Sequence, residues 1–179
     1  KKATGIYICF LDDDIEIVDT WLTTLRLFIQ RQRTAQIIFG EILPLDNKTN
    51  KRSYWIQRII AFTPWLLTTV LQHRKRSVFP YTANVCIHRD VFSKIGYFNE
   101  VFGSLEGPIP LPYGEDAEFF QRASLQNIRV HFLPKMRAFH FINPGRTRLI
   151  YLFWRYFDDG KNNVLFYILQ HKNLTHSQI

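Results

Sequence analysis

The chain has 179 residues, 46% of them hydrophobic and 16% aromatic, enough for one domain with a sizeable core, which excludes a disordered chain. No apolar run reaches the roughly 18 to 20 residues that cross a bilayer, so no segment reads as a membrane-spanning helix. The formal net charge of +8 favours anionic partners without choosing among phosphorylated substrates, acidic lipid and nucleic acid.

Residues 6–11 are a short continuous run rich in β-branched and aromatic side chains, which reads as a buried strand. A chain that opens almost directly on a core strand is expected to be the later part of a larger domain. The run stops in Asp12-Asp13-Asp14. Three adjacent carboxylates repel one another, and a hard divalent cation such as Mg²⁺ or Mn²⁺ would neutralise them. Capping of the following helix is the competing reading. Asp19 is the expected N-cap of that helix, with Trp21, Leu22, Leu25, Phe28 and Ile29 at helical spacing up to about residue 33. Residues 35–43 read as a second strand and 44–50 as a polar loop.

Residues 51–72 alternate basic and apolar groups in a helical pattern that Pro64 should break. The wider segment 52–76 carries Tyr54, Trp55 and Trp65, and ends in His73-Arg74-Lys75-Arg76. It reads either as a solvated helix over the sheet or as one lying on an anionic membrane surface. Residues 77–88 are expected to form another strand, and Asp90 to cap a short helix ending at Gly96.

Residues 103–114 hold three glycines and three prolines, a loop long for a compact domain and suited to closing over a substrate. A helix is expected over 115–126, a strand over 128–133 and a short extended piece over 137–141. The aromatic-rich stretch 149–170 reads as helical, broken at Gly160; residues 151–157 carry the same two readings as 52–76, a face on an anionic membrane surface or packing, with core packing expected for the rings. Strands and helices alternate, which argues for an α/β sheet domain. Cys9 and Cys86 sit in apolar strands with no Cys-x-x-Cys pair, and predict two buried, reduced thiols in a cytoplasmic protein.

Two further groups carry chemistry. Glu115-Asp116 opens a helix, where acids compensate the helix dipole, or where one of them can act as a general base on an attacking hydroxyl. His140 ends a strand-like segment, as an ordinary hydrogen-bonded histidine or as a ligand to a divalent site that already holds carboxylates.

Taken in order, the chain shows Phe10-Leu11-Asp12-Asp13-Asp14 followed by Trp21-Leu22, then Thr82-Ala83-Asn84 followed by Arg89-Asp90-Val91-Phe92. Next come Gly96-Tyr97-Phe98-Asn99-Glu100, Gly114-Glu115-Asp116 with Arg122, and Pro134 with His140. Over about residues 3–140 this resembles the second half of a family 2 glycosyltransferase. The resemblance implies a partial GT-A-like domain, a mixed α/β sheet flanked by helices, over residues 1–145, with a helical, aromatic-rich extension over 146–179. It implies that Asp12 and Asp14 hold Mg²⁺ or Mn²⁺ against the diphosphate of a nucleotide-sugar donor, with Asp13 touching the nucleotide part. His140 would complete the metal or diphosphate site. Asp116 would deprotonate the acceptor hydroxyl of a saccharide, lipid or protein, with inversion, and Glu115 would position donor or acceptor. Asn84 and Arg122 would serve donor binding. No nucleic acid partner is implied, and the place of action is cytoplasmic, at the inner face of a membrane if 52–76 lies on lipid.

Phe98-Asn99-Glu100 departs from the family's Phe-Asp-Glu, and the loop before Gly114 is longer and richer in proline. The family's first, base-binding half has no counterpart in this sequence. Two rival readings remain: an aspartate-nucleophile phosphatase using Asp12 and Asp14, and a non-catalytic scaffold of the same fold. The first meets Glu16 where such enzymes carry Thr or Val, and neither gives work to both acidic centres.

Overall fold

The computed structural model describes residues 3–44, 80–100, 102, 114–140 and 149–172. Along them run β1 (Tyr7–Leu11), β2 (Ile15–Ile17), α1 (Trp21–Arg31), β3 (Ile37–Pro44), β4 (Asn84–His88), α2 (Arg89–Ile95), α3 (Glu115–Leu125), β5 (Val130–His140) and α4 (Leu149–Lys172). The strands form one mixed sheet in the order β1-β4-β3-β5-β2. β3 and β5 run parallel and the other pairs antiparallel. The expected α/β architecture is therefore present.

Period-two alternation gives the sheet two apolar faces. Ile37, Phe39, Val85 and Ile87 pack on one side with Val91 and Phe92 of α2 and Phe119, Phe120 and Ala123 of α3. Ile38, Cys86 and Met136 face the other side, where Trp21 and Leu25 of α1 cover them. The 3.6-residue spacing that put Trp21 and Leu25 on one stripe thus decides where the first helix docks.

Several boundaries differ from the sequence expectations for local reasons. Thr20, not Asp19, takes the N-cap position of α1, and its side chain makes no capping bond. α2 is capped by His88, whose Nδ1 accepts the Asp90 N–H at 3.2 Å. Asp90 therefore lies inside the first turn. Helix α4 passes through Gly160 without a break, since a single exposed glycine costs a long helix only about 1 kcal/mol. Segment 52–76 and most of loop 103–114 lie outside the described residues.

The cysteines also differ. Among the described residues β1 pairs on one side only, with β4, so the run that reads as a buried strand is an edge. The register sets Cys9 opposite Cys86, on the same face, and the two form a cross-strand disulfide. Cys9 is exposed and Cys86 buried, which corrects the expectation of two separate buried thiols.

Strands β1 and β2 lie at opposite edges of the sheet, yet only Asp12-Asp13-Asp14 joins them. Four strand spacings of a flat sheet span about 19 Å, whereas the four residue steps from Leu11 to Ile15 reach at most about 14 Å. The sheet must curl, and a bulge lets it. The β3–β5 register runs from Ile37↔Val130 to Gly40↔Leu133, then resumes at Ile42↔Ala138 and ends at Pro44↔His140. β3 advances two residues across the gap while β5 advances five, so 134–137 bow outward around Pro134, a residue that strands tolerate at bulges.

A buried amide holds the bulge. Asn84 is fully buried, and its Nδ2 donates to the carbonyls of Glu41 (3.1 Å) and Met136 (2.9 Å), the groups that the broken ladder leaves over. Its Oδ1 accepts the Trp21 indole N–H at 2.9 Å. Across the same gap the Arg137 Nε donates to Glu41 at 2.8 Å. Only a glycine fits at position 40, where a Cβ would lie 1.8 Å from the Met136 carbonyl oxygen and 2.5 Å from the Asn84 amide nitrogen. Gly40→Ala is expected to destabilise the fold by about 3 kcal/mol or more, because backbone has to move. Gly160→Ala, with nothing within 4 Å of the added carbon, should instead stabilise by about 0.5–1 kcal/mol. Urea unfolding midpoints of the two variants, moving in opposite directions, check this contrast.

Candidate active site

Curling the sheet carries the acidic loop across the ends of β4, β3 and β5. Asp12 follows the residue paired with Asn84, and Asp14 precedes Ile15, which pairs with His140. The bulge sets that second pairing. Unbroken register would put His140 three residues farther along, about 10 Å away. As built, Asp12, Asp14 and His140 each offer one ligand atom, and these atoms lie within 4.8 Å of one another. His140 is almost wholly buried, and its Nε2 stands 3.2 Å from Asp14 Oδ1.

The electrostatics of this group are unfavourable as they stand. The Asp12 carboxyl is held above its usual range, first by partial burial and next by Asp14. His140 pulls the other way, and Asp13 and Glu115 add to the rise. Two oxygen donors and an imidazole around one point fit a hard or borderline divalent cation, whose charge would reverse these repulsions.

Glu115 and Asp116 come from the start of α3. Gly114, at φ +116°, makes the turn that starts the helix there, a backbone region that side chains with a Cβ rarely adopt. Asp116 is deeply set, and burial, then Glu115, pushes its carboxyl up to about 6. The N–H groups of Ala117 and Thr82 oppose this by favouring the anion, the former at 2.7 Å from Oδ1. Thr82 lies just before β4, so this contact ties the helix start to the strand that carries Asn84. Glu115 lies between the centres, close enough to raise both Asp12 and Asp116. Its Oε2 is buried with no hydrogen-bond partner among the described residues. Neither acidic group caps α1, so the capping reading of Asp12-Asp13-Asp14 falls away.

A family model described as glycosyl transferase family group 2 matches residues 7–156. The chain belongs to this family. A comparison with curated proteins finds no match. As a family 2 glycosyltransferase it is an enzyme, and the family implies a sugar donor and an acceptor. The match spans both acidic centres and His140, so the Asp-Asp-His group that can hold a metal belongs to a transferase domain.

Two residues expected at the donor are engaged elsewhere in this glycosyltransferase. All three hydrogen bonds of the Asn84 amide go to protein groups, as described above. Arg122 donates to Glu118 at 2.5 and 2.8 Å, to the Tyr97 carbonyl at 2.8 Å, and to the Ile95 carbonyl. It fastens α3 to the C-terminal end of α2. Sequence reasoning passed over Gly40, Met136 and strand β2, and placed Trp21 on the helix stripe without its bond to Asn84; these are the features that place the site. Pro134 beside an apolar run, with Gly40 in another, was the local signal of a bulge.

Proposed function

We propose that the chain transfers a glycosyl group from a nucleoside-diphosphate sugar to an acceptor hydroxyl, inverting the anomeric centre in one displacement. The observation that carries this reading is the position of Glu115, which senses Asp12 on one side and Asp116 on the other. It makes one site out of a cation-type triad and a buried carboxyl near pKa 6. A scaffold has no need of either, and an aspartate-nucleophile phosphatase has no use for the second.

Asp116 takes the acceptor proton as the acceptor oxygen bonds to the anomeric carbon. The bond from that carbon to the diphosphate oxygen breaks, and the leaving group departs with the electron pair. A carboxyl near pKa 6 is ionised at neutral pH yet basic enough to receive a proton in the transition state. Asp12, Asp14 and His140 would hold Mg²⁺ or Mn²⁺, which when bound supplies positive charge for the diphosphate. Asp13 is assigned to the nucleotide part and Glu115 to orienting donor or acceptor. Asn84 and Arg122 act as positioning residues: the amide fixes the bulge that aims His140, and the guanidinium fixes the helix that aims Asp116.

The test is release of nucleoside diphosphate from a panel of nucleotide-sugars with saccharide, lipid and protein acceptors. Dependence on Mn²⁺ or Mg²⁺, lost in Asp14→Ala, is the expected result. Metal-dependent hydrolysis of a phosphomonoester by the same protein would overturn the assignment.

A further inference from the structure

Helix α4 leaves large apolar side chains exposed. Its apolar residues exposed by 55–63% are Ile150, Phe153, Trp154, Phe157, Val164 and Tyr167. At 3.6 residues per turn they share one arc of about 140° along a helix about 36 Å long. The opposite side carries Asn162, which is 4% exposed. An ordinary surface helix buries its rings and exposes its amides, so this stripe is made to meet something other than the sheet.

The chemistry of the stripe selects the occupant. The helical step of about 100° puts Asp158 outside the arc. Lys161 does lie on it, with its ammonium 5.4 Å above the Phe157 ring and 2.6 Å from Asp158. Arg146 and Arg148 precede the helix, Lys172 ends it, and the chain carries a net +8. Trp154 and Tyr167 add rings with polar tips, suited to the headgroup level of a bilayer. No helix of the described residues is long and apolar enough to cross a membrane. We propose that α4 lies flat on an anionic lipid surface through its 150/153/154/157/164/167 face, charge attraction and ring insertion acting together.

The test uses the full chain and vesicles of phosphatidylcholine with or without roughly one third phosphatidylglycerol, near physiological ionic strength. The wild type should cosediment with the anionic vesicles at least about tenfold more strongly than with the neutral ones. Phe153→Gln combined with Phe157→Gln should weaken binding by roughly tenfold or more. Both side chains are exposed, so the thermal midpoint should not move. Trp154→Phe should remove most of the blue shift in tryptophan emission that the vesicles induce. Failure to bind anionic vesicles overturns the proposal, as does undiminished binding by the double variant, which would place the contact on another segment. A dimer in solution that the double variant dissolves also overturns it, because a second copy would then be the occupant.

Discussion

Asp116→Asn is expected to lower kcat by about 10²- to 10⁴-fold, the range spanned by general-base catalysis, and at the same time to make the protein more stable at pH 8. The second half of this result follows from the sign of the pKa shift. The folded-state value is pushed up to about 6 from the ordinary carboxyl value of 3.8, so between those values the native state holds a proton that the unfolded state has released. Stability attributable to this group is full below pH 4, falls as pH rises towards 6, and stays lowered above it. Asparagine carries no charge and still offers Oδ1 to the Ala117 N–H. The variant's advantage should therefore be absent near pH 3 and grow between pH 4 and 6. Above that it levels off at no more than about 3 kcal/mol, the full value of the shift. Thermal midpoints of both proteins across pH 3–8 check the curve. In the wild type, kcat should fall about tenfold per unit of pH below about 6. A dipole-compensating acid behaves oppositely: its removal would cost about 0.3–1 kcal/mol and leave turnover intact. Loss of stability with unchanged turnover would remove Asp116 from the mechanism.

The contrast explains which parts of the site could be read from sequence. Asp12-Asp13-Asp14 and Glu115-Asp116 announce themselves because charge at the end of an apolar run, or in a first helical turn, is a local pattern. Asn84 does not. Its meaning depends on carbonyls from β3 and β5 and an indole from α1, brought together only by folding. His140 was readable as a companion of Asp12 and Asp14 through the family resemblance, but the strand pairing that puts it there was not, because the pairing with Ile15 depends on the bulge around Pro134. Treating residues 128–141 as two extended pieces hid the strand's continuity, and with it the curl that closes the site. The aromatics of α4 show the same limit from another side. Periodicity says that Phe153, Phe157 and Val164 share a face, and hydrophobicity suggests that the sheet should cover it. Which face is covered is settled by tertiary contacts, and here Phe153, Phe157 and Val164 stay exposed while Asn162 is buried.

Asp14→Asn should show the opposite sign from Asp116→Asn once a divalent cation is present. With a chelator, removing one negative charge from beside Asp12 relieves the repulsion that raises its carboxyl. The variant should then be as stable as the wild type, or slightly more so. With Mn²⁺ the order reverses, because a ligand that binds only the folded state stabilises it by RT ln(1 + [L]/Kd), about 2.7 kcal/mol at one hundred times Kd. The wild type gains that increment. The variant offers a neutral amide oxygen where the cation needs a carboxylate and should gain far less, so the thermal midpoints of the two proteins cross as Mn²⁺ is titrated. His140→Gln makes a weaker control, since its side chain is buried on the strand between β2 and β3 and its loss disturbs packing as well as ligation. A crossing in Asp14→Asn cannot come from packing, because packing does not depend on Mn²⁺. Equal stabilisation of both proteins by the metal would show that the cation binds elsewhere and would leave Asp12, Asp14 and His140 as an ordinary cluster of charges.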